Sequence, residues 1–231
     1  MEQALEIINI VGIISFAAAG AMISINKETD CFGVLLLSLI TCFGGGILRD
    51  VMVGTGLPAF FTGSLILEII VCICTAIVVF LLASFFKEHY VKDKETVDKI
   101  NNVLDALGLG VFASVGTARY IELGPFVAIT MGLISSVGGS IIRDVILNEI
   151  PLVLRKRVYA VACIIGSSVY YIIREVIMKY NESAQMVATL CCMVVIFAIR
   201  MCATIFRWNI PKAIDFSKMN AENAQKEKVH K

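Results

Sequence analysis

Two short strings in this chain join residue types that apolar segments rarely carry. Gly44, Gly45 and Gly46 are followed three and four positions on by Arg49 and Asp50, and Gly138, Gly139 and Ser140 by Arg143 and Asp144. Both strings lie inside long apolar runs. A charge at the centre of a bilayer costs at least about 2.5–3.5 kcal/mol, so such side chains face protein or water. Glycine costs about 1 kcal/mol in a helix interior relative to alanine. Three in succession predict a break or kink, and freed carbonyls must then face protein or a water-filled cavity. In the second string, the Ser140 hydroxyl can bond such a freed group. The other reading is that the glycines only let helices pack closely. Carbonyls and carboxylates together could replace part of an ion's hydration shell. An arginine and an aspartate could instead grip the two ends of a small zwitterion.

The elements that carry these strings are membrane spans. Of 231 residues 58% are hydrophobic and 17% charged, and the mean hydropathy is +0.84. About 20 apolar residues of helix cross a hydrocarbon core of about 30 Å. Seven runs reach that length, near 5–25, 32–53, 63–86, 101–119, 125–147, 158–178 and 184–206. They are continuous rather than alternating, which excludes a transmembrane barrel. The start lacks the basic residues of a secretory leader, so the first run reads as a span. Residues 1–206 form one transmembrane domain, and residues 207–231 a polar cytoplasmic tail.

Residues 39–51 (LITCFGGGILRDV) align without gaps on 133–145 (LISSVGGSIIRDV), and Gly12, Phe16, Ala17 and Gly20 recur as Gly108, Phe112, Ala113 and Gly116. Pro58 corresponds to Pro151. Repeat one spans 4–87 and repeat two 100–178, with 184–206 as a seventh helix outside the pair. Three spans per copy is an odd number, so the second copy enters the membrane inverted. The fold class is therefore all-α, seven transmembrane helices as two inverted three-helix repeats plus one. Inversion also puts the first Arg-Asp pair toward the outer face and the second toward the cytoplasm. Neighbouring positions on a helix point about 100° apart, so Arg49 need not pair with Asp50.

Lys27, Lys87, Lys92, Lys94, Lys99, Arg155, Lys156 and Arg157 fall on one side with the tail; Arg119, Arg174 and Lys179 fall on the other. The positive-inside rule puts the C-terminus in the cytoplasm and the N-terminus outside. Arg155, Lys156 and Arg157 also offer a site for anionic lipid. Asp105 lines the same path or caps the fourth span. Glu68 is expected to pack or snorkel, and Arg200 to reach the cytoplasmic headgroups. The eight cysteines follow no zinc spacing and read as packing residues, with no tightly bound metal and no cofactor expected. A net charge of +1 offers no basic field for nucleic acid. No hydrolytic motif, nucleotide loop or intramembrane histidine points to an enzyme.

The strings FAAAGA, DCFGVLLLSLITCFGGGILRDVMVG, LDALGLGVFASVGTARY and GPFVAITMGLISSVGGSIIRDVILNEIPLVLRKRVYA resemble bacterial members of the trimeric intracellular cation (TRIC) channel family. Its repeated unit is also known as the glycine-transporter domain. The resemblance covers about residues 4–178 and implies a homotrimer in a bacterial inner membrane, each subunit with its own pore for monovalent cations such as potassium. It also implies that Gly44 to Gly46 and Gly138 to Ser140 form the kinks and that Arg49, Asp50, Arg143 and Asp144 line the path. Ser140 departs from the family pattern, where a third glycine is usual. Residue chemistry alone leaves a channel and a small-zwitterion carrier, for glycine as an example, both open.

Overall fold

A computed structural model describes residues 2–54, 56–155, 158–177 and 183–206. Among them are helices α1 (Glu2–Ile25), α2 (Cys31–Val53), α3 (Ile66–Phe85), α4 (Lys87–Lys92), α5 (Lys94–Arg119), α6 (Pro125–Ile146), α7 (Leu152–Arg155), α8 (Val158–Tyr171) and α9 (Ala184–Ile205). α8 runs on as a π-helical turn, Ile172–Ile177. Short 3-10 turns occupy Ala59–Phe61 and Ile121–Leu123, and no strand is present among the described residues. Seven of the helices are long and apolar enough to cross a membrane. Lys156, Arg157, Lys179, residues 207–231 and the side chain of Arg155 lie outside the described residues, and with them most of the expected lipid site.

Apolar runs become helices here because lipid offers no partner for a backbone N–H or C=O, and a helix satisfies both internally. Hydroxyls within the spans follow the same constraint. Ser15, Ser24, Ser38, Thr41, Thr75 and Thr117 each donate to the carbonyl four residues earlier. Helix ends carry their own signals. Asp30 caps α2 by accepting from the Gly33 N–H at 2.7 Å, as short acidic side chains do. α2 ends at Gly54, φ +71°, and its repeat counterpart after α6 is Asn148, φ +55°. Glycine and asparagine are the two residues that enter the left-handed region most readily.

The fourth helix begins at Lys94 rather than near 101. The polar stretch from Lys87 to Lys99, expected as a connection, is α4 and the first turns of α5. Val97 is buried at its foot, and Lys99 pairs with Glu95 at 2.8 Å. α3 is the least enclosed of the long helices, burying only Cys72, Ala76 and Ala83 within the subunit. α1 and α5 are the enclosed pair, with Ala17, Ala19, Ala21, Ala106 and Ala113 at 0% exposure.

The contacts between repeats are symmetric. Phe16 and its counterpart Phe112 stack on each other, centroids 5.0 Å apart and rings 7° from parallel. A Cβ built on Gly44 would lie 3.2 Å from Gly139 Cα, and one on Gly138 would lie 2.9 Å from Gly45 Cα. A Cβ on Gly45 would overlap the Ser135 carbonyl, and one on Gly139 the carbonyl of Thr41, the counterpart of Ser135. Position 45 thus meets 135 while 41 meets 139. The two helices therefore run antiparallel at their crossing, and each contact is repeated with its members exchanged. That exchange defines a two-fold relation across the helix axes, and it makes the second repeat an inverted copy of the first.

This crossing also corrects an expectation. α2 runs without interruption through Gly44 to Gly46, and α6 through Gly138 to Ser140. The glycines do not break their helices; Gly44, Gly45, Gly138 and Gly139 remove side chains where two backbones touch. Without hydrophobic drive between helices in lipid, small residues at the crossing give the dispersion contact that holds them. Ser140 uses its hydroxyl within its own helix, on Val137 O at 2.8 Å.

Gly45→Ala or Gly139→Ala places a methyl on a backbone carbonyl that cannot swing aside. Either is expected to cost about 1–3 kcal/mol or more, read as a lower melting temperature in detergent. Gly46→Ala, whose nearest atom is Arg49 Nη2 at 3.8 Å, is expected to melt like the parent. Equal melting for all three would contradict the crossing.

Candidate functional site

The end of α2 holds the first charged pair. Arg49 and Asp50 are 5% and 3% exposed. Asp50 Oδ1 accepts from Arg49 Nε at 2.9 Å and Nη2 at 2.7 Å. The two thus pair directly, which adjacency on a helix had left open: the three-methylene arm of arginine folds back over Gly46 to reach its neighbour. Arg49 Nη1 donates to Ser135 Oγ on α6 at 3.0 Å. Tyr120 donates its hydroxyl to Asp50 Oδ1 at 3.2 Å, and the Arg119 Nε lies 3.8 Å from the same oxygen. Asp50 Oδ2 accepts from the Ala59 N–H at 3.1 Å. Pro58 precedes Ala59, so the carboxylate satisfies the first N–H of the turn that leads into α3.

The end of α6 repeats this wiring. Asp144 Oδ1 accepts from Arg143 Nε at 2.9 Å and Nη2 at 2.7 Å, and Oδ2 from the Leu152 N–H, which follows Pro151, at 2.9 Å. The aspartate therefore does two things in each copy. It neutralises a buried guanidinium, and it fixes the post-proline turn that starts the next span. The copies differ in what surrounds the pair: Tyr120 and Arg119 approach Asp50, and the second arginine is left with one open donor. Arg143 is 0% exposed, and its Nη1 has no hydrogen-bond partner among the described residues; Thr41, the counterpart of Ser135, donates its hydroxyl to Leu37 O at 2.6 Å.

A cavity flanks each pair. One of about 110 Å³ is walled by Asn9, Gly46, Arg49, Asp50, Phe60, Glu68, Arg119 and Ser135. The other, about 470 Å³, is walled by Lys27, Lys94, Asp98, Asn102, Asp105, Asp144 and Glu149. Lys27 and Glu149 form an ion pair at its rim. The cavities open at opposite ends of α5, with Arg119 at one and Asp105 at the other. Fourteen residues of helix at about 1.5 Å each separate them by about 20 Å. The glycine crossing of α2 and α6 lies between.

Each residue singled out from the sequence has a place in this arrangement. Gly46, Arg49 and Asp50 line the smaller cavity, and Asp105 and Asp144 the larger. Gly45, Gly138 and Gly139 form the crossing, Gly44 also faces an apolar groove walled by Leu36, Ile40 and Ile142, and Ser140 and Arg143 lie buried behind. Glu68, expected to pack or snorkel, is on the smaller cavity's wall. Asp105 is no cap, since α5 starts eleven residues earlier; it is 2% exposed and bonded by the Tyr159 hydroxyl at 2.8 Å. Arg200 does not reach headgroups. It is 2% exposed and lies 3.3 Å from Asp105 Oδ2. Sequence reasoning missed Ser135, Tyr120 and Tyr159, whose polar groups sit in apolar runs with no local motif. All eight cysteines are free; the Cys72 thiol lies 3.5 Å from Cys42 Sγ in the core.

Asp144→Ala strands a buried guanidinium and is expected to cost about 3–5 kcal/mol. Replacing both partners, Arg143→Gln with Asp144→Asn, should recover most of that. Denaturation in detergent micelles measures both, and a single variant as stable as the parent would refute the pairing.

Comparison with known proteins follows the same division into repeats. The family model described as glycine transporter matches residues 6–84 and again 102–175. The UPF0126 inner membrane protein YadS of Escherichia coli (strain K12) is 36% identical over 206 residues, covering 88% of this chain and 92% of that one. The UPF0126 membrane protein YvgT of Bacillus subtilis (strain 168) is 29% identical over 211 residues, 90% and 96% of the two chains. The crystal structure of a prokaryotic TRIC channel in 0.5 M KCl superposes with a TM-score of 0.76 at 29% identity, over 91% of this chain and all of that one. The TRIC orthologue from Rhodobacter sphaeroides gives 0.73 at 24% identity, over 89% and 99%, a likeness of fold. Two matched repeats and relatives aligned over most of their length assign the chain to the TRIC channel family, built on paired glycine-transporter domains.

Proposed function

We propose that this chain is a channel for monovalent cations, potassium among them, with one pathway inside each subunit of a homotrimer in a bacterial inner membrane. The observation that carries the reading is the pair of cavities with charged groups on their walls, one at each end of α5, the smaller largely apolar, with the α2–α6 crossing between them. Carboxylates stand on both walls: Asp50 and Glu68 on one, Asp98, Asp105, Asp144 and Glu149 on the other. The arginines do not form an open positive ring, because each is held by its own aspartate. The described conformation is closed at the crossing, so conduction requires α2 and α6 to separate there. Backbones without side chains can part with little steric penalty, and Ser135, Ser140 and Thr41 would then offer oxygens to a partly dehydrated ion.

The lysines and arginines support an N-terminus outside and a C-terminus in the cytoplasm. In that orientation the smaller cavity opens outward and the larger inward. A glycine-like cargo would want an arginine free to take its carboxylate. All three Arg49 nitrogens already have protein acceptors, so on the smaller cavity's wall Arg119, 48% exposed, is the arginine such a cargo could reach.

Purified protein fused into planar bilayers between potassium chloride solutions tests this. Discrete unitary steps carrying many ions per opening are expected. Saturable uptake of glycine into vesicles, without unitary current, would overturn the channel.

A further inference from the structure

α9 has no counterpart in either repeat, yet it delivers a charge to the protein interior. Arg200 stands near the end of that span, where an arginine on a lipid-facing position would snorkel to the headgroups. Here it turns inward. Its Nη2 donates to Asn102 Oδ1 at 3.0 Å and to Asp105 Oδ2 at 3.3 Å, and its Cζ lies 4.4 Å from the centroid of the Tyr159 ring. Tyr159 occupies the other Asp105 oxygen at 2.8 Å. Thr204, one turn further along α9, accepts from Asn102 Nδ2 at 2.9 Å. One arginine thus joins α9 to α5 and α8 and takes up half of a carboxylate on the wall of the larger cavity.

Joining helices does not require a charge, since apolar residues of similar volume in place of a buried ion pair are often neutral or stabilising. What only a cation can do is offset Asp105. That cavity carries four carboxylates against Lys27 and Lys94, and its low-dielectric walls focus the field of any charge fixed behind them. We propose that Arg200 is a selectivity-setting positioning residue: a fixed cation from the seventh span that cancels Asp105 and so limits how strongly the larger cavity concentrates cations. The inference rests on the channel reading of that cavity. It gives the seventh helix a role in permeation that the three-helix repeat cannot supply for itself.

Reversal potentials across a potassium chloride gradient test it, on reconstituted parent, Arg200→Gln, Asp105→Asn and the double variant, each first shown monodisperse in detergent. Arg200→Gln exposes a carboxylate, so the permeability ratio of potassium to chloride should rise by about two-fold or more, with larger unitary conductance at low salt. Asp105→Asn leaves the arginine unopposed and should lower both. The double variant should return near the parent, which a loss of packing would not do. Should Arg200→Gln fail to fold, the Asp105→Asn measurement decides by itself. Reversal potentials unchanged in a conducting Asp105→Asn or Arg200→Gln protein would overturn the inference and leave the channel standing. A parent that passes no current would overturn both.

Discussion

Two helix backbones touch at Gly45 and Gly139 with no side chain between them, and the positions of the functional groups follow from that contact. Any Cβ at either site would meet a carbonyl of the opposite helix. The crossing is therefore fixed in register as well as in distance. One turn further along each helix, the same register sets Arg49 beside Ser135 and buries Arg143 on the other side of the pseudo-two-fold axis. The first helices of the repeats obey the same symmetry: Gly20 approaches Ser38 as Gly116 approaches Gly132, each with a would-be Cβ at 3.0 Å from a Cα.

Around this contact the protein has to hold charge in a medium that does not solvate it. It does so by closing each charged group on a local partner. Arginine and aspartate are adjacent in sequence, so their pairing survives whatever the helices do relative to one another. The second carboxylate oxygen is spent on a turn rather than on another cation, and that ties the charge to the loop entering the third span. On the proposed channel reading, α2 and α6 would part without unpairing either Arg-Asp pair. The asymmetry between the copies lies in what surrounds these pairs. Arg49 is held by three acceptor contacts and Tyr120, whereas Arg143 keeps one unpartnered nitrogen and shares its neighbourhood with Tyr159 and Arg200.

Much of this was legible in the sequence. Span number follows from the length of apolar runs, and inversion from an odd number of spans per repeat. The Arg-Asp strings were visible because charge inside an apolar run has few explanations. The glycines were legible as a feature, with a break or kink and close packing as its two readings: a run of glycine has the same appearance whether it ends a helix or admits another backbone, and only the partner at 135 or 41 decides. Arg200 and Asp105 were read separately, one as a snorkelling charge, the other as lining the path or capping its helix. Their link spans 95 positions, with no repeat or spacing to announce it, and α9 lies outside the internal symmetry that made the rest readable. The extra turns of α5 were missed because their polar residues look like a loop until the larger cavity gives them water to face.

The two cavities are related by inversion, and on the proposed reading they open to opposite sides of the membrane. Single cysteines at Asn9→Cys, on the smaller cavity, and Asp98→Cys, on the larger, in a background freed of native cysteines, test it through a membrane-impermeant maleimide applied to sealed vesicles of known sidedness. Asn9→Cys is expected to react only from the outside and Asp98→Cys only from the cytoplasmic side. Labelling of both from one side would contradict it.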